Sequence, residues 1–129
     1  MQIHQSAEDY LETILMLSQR MGKVRSIDVV NELGFTKASV SIAMKKLREN
    51  GYIAVDGEGN LTLLEPGLEI AQRIYSRHQL LTHFFVQLGV DEQTAAEDAC
   101  KAEHILSEQT LEKIRESALR NDAADPQAK

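Results

Sequence analysis

Apolar residues recur at the three- and four-residue spacing of amphipathic helices over much of the chain. The first such stretch runs from Ser6 to about Arg20. Ser6 is suited to cap this helix because Asp9 follows three residues later, close to the pattern of a capping box. Gly22 is expected to end it. The predicted apolar face of this helix consists of Tyr10, Leu11, Ile14, Leu15 and Leu17.

Two further helices separated by a short glycine-containing turn are predicted next. The first covers 26–33, with Ser26 as its cap and Gly34 as its end. The second is capped by Thr36 and continues to about Asn50. Helix, tight turn and helix in this order are the layout of a helix-turn-helix motif.

A β-hairpin is predicted directly after the third helix. Residues 52–55 and 61–64 form short strand-like runs on either side of a segment rich in turn-forming residues. A hairpin in this place is the wing of a winged helix. Its tip carries Asp56 and Glu58 and no Lys or Arg, so we expect the tip to make poor contact with DNA phosphates.

The second half of the chain is predicted to be entirely helical. A long helix from Pro66 to about Leu88 is apolar over a wide arc, so it should pack on later helices or on a partner chain. Asp91 and Ser107 are suited to cap two more helices. The polar residues 121–129 are expected to form a disordered tail.

These patterns together predict a mainly α chain with two modules. A winged helix-turn-helix domain is expected over residues 1–64, and a helical module over residues 65–120. No apolar run approaches the roughly 18 residues that a membrane span requires. The single cysteine cannot form an intrachain disulfide, which favours a reducing compartment. We therefore expect a cytoplasmic protein without a membrane partner.

Charge is unevenly distributed along the chain. The 129 residues carry a net charge of −6, which argues against a non-specific coat for nucleic acid. Residues 36–48 nevertheless contain four basic side chains and no acidic one. Hydroxyl groups at a helix N-terminus, followed by Lys and Arg, suit phosphate contact and entry into a major groove. A solvated basic face on a structural helix is the alternative. The predicted DNA-binding residues are Ser26, Thr36, Lys37, Ser39, Ser41, Lys45, Lys46 and Arg48.

A second candidate site is the segment Cys100-Lys101-Ala102-Glu103-His104. On a helix, residues at positions i, i+3 and i+4 share one face, so Cys100, Glu103 and His104 would lie side by side. Sulfur, oxygen and nitrogen donors together suit a divalent transition metal. The alternative is an ordinary amphipathic helix with a buried cysteine and two polar residues at its edge.

Four motifs in this order resemble the diphtheria-toxin-repressor family of metal-dependent regulators. They are the runs 6–12 and 26–28, the pair Arg77-His78, and the run 98–104, and the resemblance covers about residues 5–118. It implies a homodimer that binds double-stranded DNA at a palindromic operator. It also implies that the helical module dimerises the protein and that a divalent metal binds between the modules and favours the DNA-binding form. The ligands implied by the motifs are Asp9, Glu12, His78, Cys100, Glu103 and His104.

The implied ligand set combines two patterns within this family. Asp9 and Glu12 match the manganese-responsive type, whereas Cys100 matches the iron-responsive type. Carboxylate and imidazole suit Mn²⁺ and Fe²⁺, and a thiolate favours Fe²⁺, Co²⁺ or Zn²⁺. Three carboxylates and a thiolate carry a charge that two divalent ions would neutralise. We therefore expect one or two Mn²⁺ or Fe²⁺ ions per subunit, with Zn²⁺ or Co²⁺ able to substitute in vitro.

The sequence thus predicts a metal-dependent transcriptional regulator that represses metal-uptake genes. The main alternative is a metal-independent winged-helix regulator, and a further one is an interaction module whose helices only dimerise. An enzyme is disfavoured because the chain has no glycine-rich phosphate loop and no HExxH motif, and is too short for a large substrate pocket.

Overall fold

The computed structural model of the protein describes residues 5–124 and is mainly helical, with one small sheet. These residues form two compact units, an N-terminal unit that ends at Arg73 and a C-terminal unit that begins at Ile74. Among the described residues, no helix is both long and apolar enough to cross a membrane. The elements are α1 (Gln5–Met21), β1 (Val24–Arg25), α2 (Ser26–Leu33), α3 (Lys37–Glu49), β2 (Ile53–Val55), β3 (Asn60–Leu63), α4 (Glu65–Gln87), α5 (Glu92–Ala102) and α6 (Glu108–Ala124).

Helix α1 supplies much of the core of the N-terminal unit. It contacts α2, α3, β1 and β3, and all five residues of its predicted apolar face are buried, Leu11 and Ile14 completely. Helix α3 adds Val40, Met44 and Leu47 to this core. The 3.6-residue period of these positions explains why a helix forms at each place, because only a helix brings them to one side.

The turn between α2 and α3 is built as the sequence predicts. Gly34 adopts a left-handed conformation, with φ of 72°, and its N–H donates to the Val30 carbonyl at 2.8 Å. The Thr36 hydroxyl then caps α3 by accepting from the Ser39 N–H at 3.1 Å. The prediction that Ser26 caps α2 is wrong. Arg25 occupies the cap position, and its N–H donates to the Asp28 carboxylate at 2.9 Å, so Ser26 is the first helical residue.

The wing is an antiparallel sheet of three strands in the order β1-β3-β2. The predicted hairpin is confirmed within a residue at each strand end. Asp56 shapes its turn, because one carboxylate oxygen accepts from the N–H groups of Glu58 at 2.8 Å and Asn60 at 2.9 Å. Hydrogen bonds from the side chain and backbone of Asn60 lower the pKa of Asp56. The acidic tip therefore has a structural role in the turn.

The C-terminal unit has a small core of its own. Leu81, Ala99 and Leu111, one from each of its helices, are buried together. Both predicted caps are confirmed: the Asp91 carboxylate accepts from the Thr94 N–H at 3.1 Å, and the Ser107 hydroxyl accepts from the Thr110 N–H at 3.2 Å.

The last helix is longer than predicted. The expectation of a disordered tail from residue 121 is wrong for residues 121–124, because α6 continues to Ala124. Polar contacts with α4 account for the extension: Gln87 Nε2 donates to the Asp122 carboxylate at 2.8 Å, and His83 Nε2 lies 2.9 Å from the same group. The rest of the predicted tail, residues 125–129, lies outside the described residues.

Gly67, in the first turn of α4, is in close contact with the wing. A Cβ atom at this position would lie 2.2 Å from the Tyr52 carbonyl oxygen. That carbonyl also accepts from the Leu64 N–H at 2.9 Å, so it cannot move without losing a hydrogen bond. The start of α4 therefore requires a residue without a side chain at this point.

We predict that Gly67→Ala lowers the free energy of unfolding by about 1–3 kcal/mol through this overlap, despite the higher helix propensity of alanine. Gly57→Ala is the matched control, because a Cβ there meets nothing within 4 Å and should change stability by less than about 0.5 kcal/mol. Urea unfolding at one fixed protein concentration measures both. Equal midpoints for the two variants would contradict the predicted contact.

Candidate metal-binding and DNA-binding sites

The N-terminal unit offers a pair of carboxylates on α1. Asp9 and Glu12 are one turn apart, and a carboxylate oxygen of each lies within 4.8 Å of the other. Asp9 is half-buried, and Glu12 is only 5% exposed. A solvated surface role for Glu12, which is ordinary for a glutamate on a helix, therefore does not apply. Two carboxylates at this spacing are suited to supply oxygen ligands to a cation.

The C-terminal unit holds a buried carboxylate between two imidazoles. Glu103 has no solvent exposure. Its Oε2 lies 2.9 Å from His78 Nδ1, and its Oε1 lies 3.5 Å from His104 Nε2. Glu103 Oε1 makes no hydrogen bond with any described residue. Since a buried carboxylate is costly unless it is fully paired, this oxygen is a candidate for binding a cation.

Helix α5 ends directly before the buried glutamate, although Glu103 keeps a helical backbone conformation, with φ of −60° and ψ of −22°. Cys100 lies on α5, whereas Glu103 and His104 lie in the turn that follows, so the expectation that the three residues share one face of a helix stays a prediction. The Glu103 N–H still donates to the Ala99 carbonyl at 2.9 Å, but the Ile105 N–H donates to the carbonyl three residues back, at 3.1 Å. Cys100 remains on α5 and is exposed, unlike Glu103.

Arg77, on α4, contacts the turn that follows α5. Its guanidinium donates to the Glu103 carbonyl at 3.2 Å and forms an ion pair with the Glu108 carboxylate. Because His78 follows Arg77 on the same helix, α4 contacts both the backbone and the side chain of Glu103. The sequence motif Arg77-His78 drew attention to the histidine, but the positioning role of the arginine has no signal in the sequence.

The donors in each unit fit a divalent cation. Carboxylate oxygens and imidazole nitrogens are ligands of Mn²⁺ and Fe²⁺. The oxygen of Glu103 without a hydrogen bond is the structural sign of this fit, because an acceptor in that position gains most from a positive charge. Asp9 and Glu12 would supply oxygen ligands, whereas His78 and His104 would supply nitrogen ligands alongside Glu103.

The predicted DNA-binding face lies on α3. Lys37, Lys45, Lys46 and Arg48 are all exposed, as a phosphate-binding surface requires. The two hydroxyls at the start of the helix have a structural role: Thr36 Oγ1 accepts from the Ser39 N–H and donates to the Ser39 hydroxyl at 2.9 Å. Their first function is therefore to cap the helix.

A cavity of about 260 Å³ adjoins this face within the N-terminal unit. It brings Ser26, Ser41, Lys45 and Arg48 together, although they come from two helices. Hydroxyl and cationic groups around one concavity suit an anionic oxygen. Its lining consists of Ser26, Ser41, Met44, Lys45, Arg48 and Val55.

Comparison with protein families gives two consecutive matches. Residues 2–61 match the N-terminal DNA-binding domain of the iron-dependent repressors. Residues 64–127 match the metal-binding and dimerisation domain of the same repressors. Together the two matches cover nearly the whole chain.

Full-length relatives agree with this family. The chain is 37% identical over 113 residues to an uncharacterised HTH-type transcriptional regulator of Methanocaldococcus jannaschii, covering 86% of this chain and 90% of that protein. It is 34% identical over 109 residues to the HTH-type transcriptional regulator MntR of Bacillus subtilis, covering 84% of this chain and 77% of that one.

Solved structures of manganese regulators share the fold. The manganese regulator SloR matches with a TM-score of 0.76 at 25% identity, over 94% of this chain and 55% of that one. A manganese-dependent transcriptional repressor in complex with manganese matches with a TM-score of 0.78 at 28% identity, over 87% and 52%. The chain thus spans about half the length of these solved structures.

From its two domain matches and its relatives, the chain belongs to the diphtheria-toxin-repressor family of metal-dependent transcriptional regulators, which are DNA-binding proteins and not enzymes.

Proposed function

We propose that this protein is a cytoplasmic repressor of metal-uptake genes whose affinity for its operator depends on Mn²⁺ or Fe²⁺. The observation that carries the proposal is the buried carboxylate of Glu103 between His78 and His104. In a chain with a winged helix, and with similar solved structures named as manganese regulators, a cation is the ligand that this chemistry fits best.

The proposed ligands come from both units. Asp9 and Glu12 provide oxygen donors from the N-terminal unit, and Glu103, His78 and His104 provide donors from the C-terminal unit, joined by the thiol of Cys100. Octahedral sites are usual for Mn²⁺, and each of these two sets of side chains has fewer than six members when taken alone. A centre that uses both sets would complete the coordination, which supports one or two ions per subunit.

The proposed switch between the two forms depends on electrostatic repulsion between the carboxylates and on its neutralisation by a cation. Asp9, Glu12 and Glu103 carry like charges, which oppose any arrangement that brings the carboxylates together. When bound, a divalent cation supplies the positive charge that offsets this repulsion. Since the cation binds only the assembled arrangement well, it shifts the population toward that arrangement.

The DNA-binding step follows from the symmetry of a homodimer. Successive major grooves on one side of the duplex are about 34 Å apart, so the two α3 helices of a dimer need a fixed separation to bind a palindromic operator. The side chains that would contact DNA phosphates from α3 are Lys37, Ser41, Lys45, Lys46 and Arg48. Ser26 would add a contact from the start of α2. Thr36 and Ser39 would present the N-terminus of α3 to the backbone.

Metal-dependent DNA binding tests the proposal directly. An operator is first obtained by in vitro selection from a random duplex library in Mn²⁺. Fluorescence anisotropy should then show specific binding in Mn²⁺ or in anaerobic Fe²⁺, and its loss in chelator. Undiminished specific binding in chelator would instead support a metal-independent winged-helix regulator.

Glu103→Gln should keep the shape of the side chain but remove its charge, and so weaken Mn²⁺ binding at least about tenfold. Calorimetric titration measures this loss independently of DNA. Glu112→Gln is the matched control, because Glu112 lies exposed on α6 in a surface pair with Arg115. Equal Mn²⁺ affinity for the two variants would exclude Glu103 as a ligand.

Cys100→Glu should shift the metal response toward Mn²⁺, because it replaces a soft thiolate with a hard carboxylate. The measurement is the ratio of the Mn²⁺ and Fe²⁺ concentrations that give half-maximal operator binding under anaerobic conditions. Cys100→Ser serves as the control for loss of the thiol alone. An unchanged ratio in Cys100→Glu would show that Cys100 does not select the metal.

Lys45→Ala should weaken DNA binding by a similar factor on all sequences. It should also reduce the magnitude of the slope of log K against log salt concentration by about 1 per subunit, because one phosphate contact is lost. Lys113→Ala on α6 removes the same charge from the C-terminal unit, where Lys113 pairs with Glu116. The same slope in both variants would contradict a phosphate contact by Lys45.

A further inference from the structure

Ile42 is an apolar side chain at the outermost position of α3. It is 58% exposed, although it lies on a helix that buries Val40, Met44 and Leu47. At 3.6 residues per turn, Ile42 lies about 160° around the helix from Val40 and from Met44. Its side chain therefore points directly away from the core of the N-terminal unit.

The neighbours of Ile42 divide the exposed face into two parts. One turn earlier lie Ala38 and Ser39, which are exposed and small. One turn later lie Lys45 and Lys46, also exposed. Small residues on the N-terminal side allow a base edge to approach the helix closely, and the lysines on the C-terminal side complement the charge of the DNA backbone. Ile42 lies between these two regions.

Resting on the proposed function, we propose that Ile42 selects a thymine in each half of the operator by packing against its C5-methyl group in the major groove. Ile42 then belongs to the residues that determine sequence specificity, whereas the neighbouring lysines contribute affinity on any sequence. The thymine methyl is the group that this exposed apolar side chain would contact.

The chemistry of the major groove points to thymine. Adenine, guanine and cytosine present hydrogen-bonding groups there, whereas the thymine methyl is the apolar group. An isoleucine side chain has no donor or acceptor, so placing it against a polar base edge would desolvate that edge without compensation. Placing it against the methyl removes apolar surface from water on both sides. The same side chain thus favours thymine and disfavours the other bases.

The test compares thymine with deoxyuridine, which differs only by the missing methyl. Each thymine of the operator selected in Mn²⁺ is replaced by deoxyuridine in turn, symmetrically in both halves, and binding is measured by anisotropy. We expect one symmetric position at which the wild type loses about fourfold in affinity per half-site, the value for one buried methyl. Ile42→Ala should lose this sensitivity, and Ile42→Val should retain part of it.

Two controls separate a base contact from a general effect. Ile27→Ala makes the same substitution at an isoleucine that is 43% exposed on α2, and it should keep the full sensitivity to deoxyuridine. The salt dependence of binding should be the same in Ile42→Ala and wild type, because no phosphate contact is removed.

The outcomes also distinguish this inference from the function on which it rests. If no specific DNA binding appears in Mn²⁺ or Fe²⁺, the proposed function itself fails. If specific binding is present but no deoxyuridine position affects the wild type, or if Ile42→Ala keeps the same sensitivity as the wild type, the role of Ile42 is overturned. Sensitivity that disappears in Ile42→Ala and persists in Ile27→Ala supports it.

Discussion

The burial of the Glu103 carboxylate between two histidines is the central physical constraint on the candidate metal site. A charged group without solvent exposure needs compensation from its surroundings, and the C-terminal unit provides two imidazoles beside this carboxylate, while Arg77 donates to the backbone carbonyl of the same residue. These contacts stabilise a buried glutamate at a position where an apolar residue would otherwise pack at lower cost.

The candidate metal site illustrates what a single sequence can and cannot establish. Motif resemblance implied the donor types, and the structure shows that Glu12 and Glu103 are buried. The helical spacing of Cys100, Glu103 and His104 suggested a shared face, yet the helix ends between the first residue and the other two. Helical spacing predicts which side chains share a face only as far as the helix continues. The turn after α5 is also held by a contact with α4, between Arg77 and Glu103, which are 26 residues apart in the chain.

The fold was predictable where a local contact decides the structure. Thr36 and Ser107 each cap a helix through a bond to the backbone three residues later, and such a bond appears directly in the sequence pattern. Strand β1, in contrast, has two residues and forms only because β3 pairs with it. Likewise, α6 extends to Ala124 through polar contacts with α4. Long-range pairing of this kind leaves no periodic signal in a short segment.

A DNA-binding protein that responds to a cation requires energetic coupling between its metal ligands, here the proposed carboxylates Asp9, Glu12 and Glu103, and its DNA-binding face on α3. Coupling of this kind is reciprocal, so the ligand that strengthens DNA binding must itself be bound more tightly in the presence of DNA. The most direct test is therefore the Mn²⁺ binding isotherm of the protein with and without saturating operator duplex. The Mn²⁺ affinity should be higher with the duplex, by the same factor by which Mn²⁺ raises the affinity for the operator. The same Mn²⁺ affinity with and without DNA would contradict it.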